Sequence, residues 1–315
     1  MTEHLQARGQ RVAWEALPAT VRQAVESGLG ASVVAATTQP GGYSPGAAAR
    51  LELDDGRRAF VKAVGREPNP YSPGMHRREA EIAATLPPEA PAPRLLFAHD
   101  DGDWVALVYE DVDGHEPAVP WREDELARVL DALTDLAAAL TPAPIAAVSA
   151  AEYYAELFGG WRWLAERGGA PRLDPWAAER LDELAALEAG WPEASAGETL
   201  VHGDVRSDNV LLAADRVVFV DWPHAAVGAR WFDLLCFLPS AAMQGAPPPW
   251  ELFEAHPLGR QAPPDALLPM LAAVAGFFVQ RSTLEPPPGL PTLREFQRVQ
   301  GVHALAWLRR SLGES

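Results

Sequence analysis

Residues 201–222 read VHGDVRSDNVLLAADRVVFVDW, an order that sets Asp204 five residues before Asn209 and places Asp221 after two short apolar runs, 210–212 and 217–220. Alone, either aspartate would pass as a turn or capping residue. Together the three side chains suit one kind of chemistry. A phosphoryl group in transfer carries dense negative charge, so its reaction depends on positioning and on neutralisation by metal and cations. The side-chain amide of Asn209 and the carboxylate of Asp221 are hard oxygen donors of the type Mg²⁺ takes. Asp204, in H-G-D-x-x-x-x-N spacing, adds a second carboxylate to the same short strip.

The elements that must position these groups follow from periodicity and turn signals. Helical spacing covers residues 17–29, and a strand is expected over 32–38. The loop 39–46, QPGGYSPG, is too rich in Gly and Pro for regular structure. Residues 47–53 and 58–64 form two β runs joined by Asp54-Asp55-Gly56, a hairpin signal. Lys62 lies inside the second run, where a buried ammonium needs an anionic partner. Glu79 and Glu81 lie on the helix expected over 76–86. Two further strands, 94–99 and 104–109, flank Asp100-Asp101-Gly102. Beyond Pro120 the pattern turns helical, with amphipathic runs at 123–140, 151–167 and 175–189 and closing helices near 265–282 and 291–312.

Composition narrows the classes. A chain of 315 residues with 48% hydrophobic content is long enough for two lobes with substantial cores. A single cysteine, Cys236, excludes an intrachain disulfide and a multi-cysteine zinc site; in the apolar run WFDLLCFL it reads as a buried structural thiol, and a reducing cytoplasm is the expected setting. The start MTEHLQARGQ lacks the basic-then-apolar pattern of a signal peptide. The longest apolar stretch, 267–279, is too short to span a bilayer, so no membrane is expected. A net charge of −17 with no basic stripe argues against nucleic acid and favours a cationic small-molecule partner.

Protein kinases write the catalytic loop as His-Arg-Asp and the later triplet as Asp-Phe-Gly. Here they read His202-Gly203-Asp204 and Asp221-Trp222-Pro223, so the chain resembles the aminoglycoside phosphotransferase and small-molecule kinase branch of that superfamily, in motif order over residues 32–238. The resemblance implies an α+β, bilobal, protein-kinase-like fold. Its N-terminal antiparallel-sheet lobe, residues 1–113, would bind the nucleotide, and a larger helical C-terminal lobe, 114–315, would carry the catalytic loop and the acceptor site. It also implies Mg²⁺ and ATP (or GTP) as phosphate donor, with a small-molecule hydroxyl as acceptor.

The roles the resemblance assigns are specific. Asp204 orients the hydroxyl and accepts its proton, while Asn209 and Asp221 hold metal. Lys62 holds the α/β-phosphates, and Glu79, ahead of an Ala80, Ala83, Ala84 packing face, is expected to fix Lys62 in preference to Glu81. Tyr109 takes the gatekeeper position, and the backbone of Glu110 and Val112 meets the adenine edge. Gly42, Ser44 and Gly46 are expected over the phosphates, although the loop departs from G-x-G-x-x-G. Arg206 either neutralises the γ-phosphate or pairs with Asp208. Asp233 braces the catalytic loop, and His202 is a hydrogen-bonded scaffold residue. Trp161 and Trp163 belong to the core or to a wall of the acceptor cleft. Glu152, Glu156, Asp174 and Glu179 are candidates to line a cationic pocket. An aminoglycoside or other cationic antibiotic fits the acidic balance, an amino alcohol or sugar fits the same motifs, and a nucleotide-binding pseudokinase rests on the diverged phosphate loop alone.

Overall fold

The computed structural model describes residues 11–41, 46–67, 69–288 and 290–314. Helix α1 (Ala19–Leu29) precedes the strands β1 (Val33–Thr38), β2 (Ala47–Leu53) and β3 (Arg58–Gly65), then come helix α2 (Ser72–Ala83) and the strands β4 (Leu95–Asp100) and β5 (Trp104–Glu110). The strands form a five-stranded sheet in the order β1-β2-β3-β5-β4, every neighbouring pair antiparallel. Its apolar faces bury in two directions. Val21, Val25 and Leu29 of α1 pack with Leu51, Val61 and Val108 on one side. Ala80 and Ala83 of α2 pack on Val105, Leu107 and Tyr109 on the other. Small alanines let α2 lie close to the sheet, which matters because α2 carries Glu79.

After β6 (Gly114–His115) the chain is mainly helical: α3 (Glu123–Ala139), α4 (Ala150–Tyr153), α5 (Gly160–Ala165), α6 (Pro175–Ala178), α7 (Leu181–Glu188) and α8 (Trp191–Ala194). The strands β7 (Thr199–Val201), β8 (Val210–Ala213), β9 (Val217–Phe219) and β10 (Ala226–Gly228) follow, then α9 (Phe232–Met243), α10 (Pro249–Ala255), α11 (Pro257–Arg260), α12 (Pro264–Ser282) and α13 (Leu293–Ser311). β8 pairs with β6 and β9, and β10 pairs with β7, so two small antiparallel ribbons carry the strip around Asp204 and Asp221. A large apolar cluster, including Trp161, Phe219, Phe232, Phe237 and Trp307, sits beneath them. No helix among the described residues is long and apolar enough to cross a membrane, and the 267–279 stretch lies within α12.

Two expected helices are broken. The 151–167 run divides into α4 and α5, separated by residues 154–159, and α5 begins at Gly160. There α5 packs so tightly on α12 that a Cβ on Gly160 would lie 2.0 Å from the Gly276 carbonyl oxygen. The new helix start is satisfied from a distance: Glu188 of α7 accepts the N–H groups of Trp161 at 3.1 Å and Arg162 at 3.0 Å, where a helix leaves donors unpaired. The 175–189 run likewise divides into α6 and α7. Trp161 is wholly buried, its Nε1–H donating to the Ala272 carbonyl at 2.8 Å, so it belongs to the core; Trp163 is half-buried with Arg167 stacked 4.1 Å from its ring.

Candidate active site

β3 carries Lys62 toward α2 and toward the turn after β9. Its Nζ donates to Glu79 Oε2 at 2.7 Å and to Asp221 Oδ1 at 2.6 Å. Glu79 is 2% exposed, and its Oε1 accepts the Tyr109 hydroxyl at 2.9 Å. Glu81 is exposed. Geometry thus separates the two glutamates: only Glu79 reaches the lysine. Tyr109 closes the same network from β5.

The charges in this cluster hold one another. Burial opposes the charge on Lys62, but Asp221 and Glu79 outweigh it and keep the ammonium above its usual range. Burial also pushes the Asp221 carboxyl up, and Lys62 more than cancels that, holding it well below the ordinary carboxylate range. At Glu79 burial prevails over Lys62 and the carboxyl is raised. His76, buried beside them, is pushed down to about 3 by burial and by Lys62, so it adds no charge. Asp221 sits at φ +72, in the left-handed region that non-glycine residues seldom occupy. Such strain persists where the surroundings impose it, often at functional sites.

The loop carrying Asp204 is held from below. Asp233, in the first turn of α9, accepts the N–H of His202 on Oδ2 at 2.8 Å and that of Gly203 on Oδ1 at 2.7 Å. His202 Nε2 lies 3.0 Å from the Val220 carbonyl, and the Asp204 N–H lies 3.2 Å from His202 Nδ1; this network assigns the proton to Nε2. Burial pushes His202 down to about 4 and Asp233 up to about 6. Gly203 has φ +81, and a Cβ there would lie 1.8 Å from the Tyr154 hydroxyl, which donates to the His224 carbonyl at 2.7 Å. Only glycine fits.

Asn209 Nδ2 donates to the Asp204 carbonyl at 2.8 Å and to Asp204 Oδ2 at 3.1 Å. That leaves its Oδ1 as the outward oxygen, in the cleft that Lys62 and Asp221 also line. Arg206 makes both pairs at once. Its Nη1 donates to the two oxygens of Asp204, each at 2.8 Å, while Nε and Nη2 donate to Asp208 at 3.0 and 2.9 Å. Burial raises the Asp204 carboxyl against the pull of Arg206. The sequence pattern offered Asp208 as a partner; the contact with Asp204 carries no spacing signal that would have revealed it.

Arg78 is the residue that sequence reasoning missed. From α2 its Nε donates to the Pro223 carbonyl and its Nη2 to the Ala225 carbonyl, both at 2.8 Å, and its guanidinium lies 4.3 Å from the Tyr153 ring centre. The helix that positions Glu79 is therefore also bolted to the segment that follows Asp221. The linker after β5 is clamped in the same manner. Arg50 donates to the Val112 and Gly114 carbonyls at 3.0 Å each and pairs with Asp111 at 3.3 Å, and Arg58 pairs with Asp111 at 3.0 Å. Glu110 donates its N–H to the Arg94 carbonyl at 3.0 Å and pairs through its side chain with Arg216 at 3.2 Å. Glu110 and Val112 both line the cleft, whose apolar wall includes Val64, Leu211 and Val220.

Gly42 and Ser44 lie outside the described residues. Gly46 stands just before β2, its carbonyl accepting the Val12 N–H at 3.0 Å. Arg11 reaches the cleft edge and donates to the Gly41 carbonyl. Glu152 of α4 is exposed, as are Glu156 in the turn after α4 and Glu179 in the turn after α6, while Asp174 caps α6. Cys236 is half-buried in α9, and burial pushes its thiol up.

A β-sheet with an inward Lys–Glu pair, set over a helical body with an Asp–Asn loop and a later Asp, defines the class of protein-kinase-like phosphotransferases. The sequence profile of the phosphotransferase enzyme family matches residues 39–266, and the chain belongs to that family. It is a small-molecule phosphotransferase with a hydroxyl acceptor. Among solved structures, a thermostable mutant of the aminoglycoside phosphotransferase APH(4)-Ia, in ternary complex with ADP and hygromycin B, is 15% identical over 93% of this chain and 98% of that one, with a TM-score of 0.59. The choline kinase LicA from Streptococcus pneumoniae is 13% identical over 91% and 98%, at a TM-score of 0.59. An aminoglycoside phosphotransferase from Alicyclobacillus acidocaldarius is 16% identical over 89% and 92%, at 0.56. At these identities the likeness is one of fold. No curated protein sequence matches the chain.

Proposed function

We propose that this chain transfers the γ-phosphate of ATP, with Mg²⁺, to a hydroxyl of a cationic small molecule. The observation that carries the reading is that Lys62, Asn209 and Asp221 line one cleft while Asn209 is bonded to Asp204. The donor set fits the metal: one carboxylate and one amide oxygen, with no group of three acidic, histidine or cysteine side chains among the described residues, suit an ion completed by phosphate oxygens and water. Asp221 and Asn209 would hold Mg²⁺, which would supply charge neutralisation to the phosphates.

The chain's own groups do the rest. Lys62, fixed by Glu79, meets the α/β-phosphates, and the backbone of Glu110 and Val112 faces the adenine edge. Asp204 takes the proton of the acceptor hydroxyl as that oxygen bonds to the γ-phosphorus and the β–γ bridging oxygen leaves with ADP. A carboxyl raised by burial against the opposing pull of Arg206 suits that proton transfer. Arg206, on the same loop, would take up γ-phosphate charge when the acceptor claims Asp204. Residues 1–113 act as the nucleotide lobe and 114–315 as the catalytic and acceptor lobe. A cytoplasmic setting accords with the lone, free Cys236.

For the acceptor, the charge of −17 favours a cation, which both an aminoglycoside-type antibiotic and an amino alcohol provide. The test is ADP release with Mg²⁺ and ATP across aminoglycosides, other cationic antibiotics, amino alcohols and sugars. Acceptor-dependent release that Asp204→Ala abolishes, with nucleotide binding retained, supports the reading, and a cationic antibiotic as acceptor would mean resistance chemistry. Nucleotide binding with no release for any acceptor, wild type included, would favour a pseudokinase and refute it.

A further inference from the structure

A second cavity, of about 550 Å³, lies between α12, α13 and residues 171–174, away from the residues that line the nucleotide cleft. That size falls within the span of small-molecule sites. Its charge runs against the chain as a whole. In a protein of net charge −17, the lining holds Arg172, Arg294, Arg298 and Arg309 against two carboxylates, Asp174 and Glu295.

Both carboxylates are already engaged. Glu295 accepts two bonds from Arg298, each of 2.7 Å. Asp174 accepts the N–H groups of Trp176 at 3.0 Å and Ala177 at 3.3 Å as the cap of α6. Arg294 donates to the Glu285 carbonyl at 3.1 Å and to Gln297 Oε1 at 2.8 Å, neutral acceptors that leave its charge unbalanced. Burial and the neighbouring Arg281 cation lower its pKa, a sign that positive charge is crowded there. Arg172 sits at φ +64; among the described residues Asp221 is the other non-glycine residue with positive φ. Non-glycine residues held in that region cluster at functional sites. Leu173, Leu305 and Val302, the last 54% exposed, give the rest of the wall an apolar stretch beside Ser282 and Thr283.

We propose that this groove binds a small organic anion, a carboxylate or phosphate monoester on an apolar body, as a second ligand site of the protein. Guanidinium forks match the planar oxygens of a carboxylate and the face of a phosphate, and the apolar wall receives the ligand's body. A cationic acceptor would be repelled here, so the occupant is a different molecule from the acceptor. The two sites share α13: the Phe296 ring, two residues beyond Arg294, lies 5.8 Å from the Arg206 guanidinium of the catalytic loop.

The full chain, saturated with AMP-PNP and Mg²⁺ to block the phosphate-binding part of the nucleotide cleft, is titrated with phenyl phosphate and with benzoate by calorimetry. The expected result is saturable binding of at least one probe, weakened about tenfold or more in Arg172→Gln/Arg294→Gln and weakened by added salt, with AMP-PNP affinity unchanged. Val302→Trp, which fills the groove and removes no charge, is expected to abolish binding as well, and it keeps the test independent of the arginine variants' folding. Asp204→Ala is expected to bind the probe as the wild type does. Absence of saturable binding for both probes, or binding that survives both sets of groove substitutions, overturns the proposal. The titration involves no turnover, so either result leaves the phosphotransfer reading to its own assay.

Discussion

Asp233→Asn separates what Asp233 does for the fold from what it does for the catalytic loop. The carboxylate accepts two backbone N–H groups, one on each oxygen. An asparagine of the same shape accepts one and turns its amide toward the other, so a buried N–H loses its partner, at a cost of about 1–3 kcal/mol. A gain opposes this. Burial raises the Asp233 carboxyl to about 6 from the ordinary 3.8, so its ionised form at neutral pH costs about 3 kcal/mol at 1.36 kcal/mol per unit, a cost asparagine removes. Stability of the variant at pH 7.5 should therefore lie between unchanged and about 2 kcal/mol above that of the wild type. The sign with pH is fixed: a folded-state pKa raised above the unfolded value gives a contribution that is full below about 3.8 and is lost as pH rises through about 6. Relative to the variant, the wild type should gain about 2 kcal/mol between pH 7.5 and 4.5. Urea unfolding at the two pH values, followed by tryptophan fluorescence, measures that difference. Catalysis should respond differently, because a loop displaced by about 1 Å loses on the order of 10²-fold in kcat. A stability gap that does not move with pH would refute the assigned titration, and a kcat within about threefold of wild type would refute the bracing role.

Four further substitutions test the surrounding contacts. Glu79→Gln should lower kcat/KM for ATP by about 10²-fold, or 2.7 kcal/mol, while Glu81→Gln leaves it unchanged; steady-state kinetics on the pair decides whether Lys62 depends on the buried glutamate. Arg78→Ala removes two charge-assisted bonds to carbonyls and should cost about 2–4 kcal/mol in urea unfolding together with a weaker apparent Mg²⁺ affinity; Arg78→Lys, which cannot span both carbonyls, should recover only part. Gly203→Ala drives a Cβ against the Tyr154 hydroxyl and should depress kcat by about 10²-fold, with partial rescue by Tyr154→Phe, because the His224 carbonyl, 2.8 Å from that Cβ, still obstructs. Arg206→Gln removes the charge that opposes burial at Asp204, so the acidic limb of the kcat/KM–pH profile should move to higher pH; a limb that stays in place would mean that Arg206 does not set the ionisation of Asp204.

The parts of the site that were legible in the sequence are those whose residue type and spacing follow from local structure. Asp204 and Asn209 are five residues apart on one loop, Asp221 ends a short strand, and a lysine among apolar neighbours in β3 announces that it needs an anion. Glu79 was legible through the Ala80–Ala83 face, because small residues mark where α2 meets the sheet. The need for glycine at 160 was not, since the group it meets, the carbonyl of Gly276, lies more than a hundred residues away. The same holds for the arginines. Arg78 and Arg50 act on backbone carbonyls, and a carbonyl has no identity in a sequence, so no pairing rule points to it. Arg50 has one visible signal, its place after three alanines in the strand AAARLEL.

These contacts bear on how the site is kept ready. The helix carrying Glu79 is fastened to the Pro223–Ala225 segment through Arg78, the linker is fastened to β2 and β3 through Arg50, Arg58 and Asp111, and the Asp204 loop hangs from Asp233. Each fastening ends on backbone or on a buried partner, so none needs an added charge, such as a phosphorylated loop, to assemble it. Within that fixed frame the reactive charges are paired with each other, Lys62 with Asp221 and Arg206 with Asp204. Ligands then have only to exchange partners within the frame. Under the proposed phosphotransfer, phosphate oxygens would replace Asp221 at Lys62 and the acceptor hydroxyl would replace Arg206 at Asp204, each exchange trading one charge-assisted bond for another. The frame stays still while the pairs change, which is the economy electrostatic preorganisation requires.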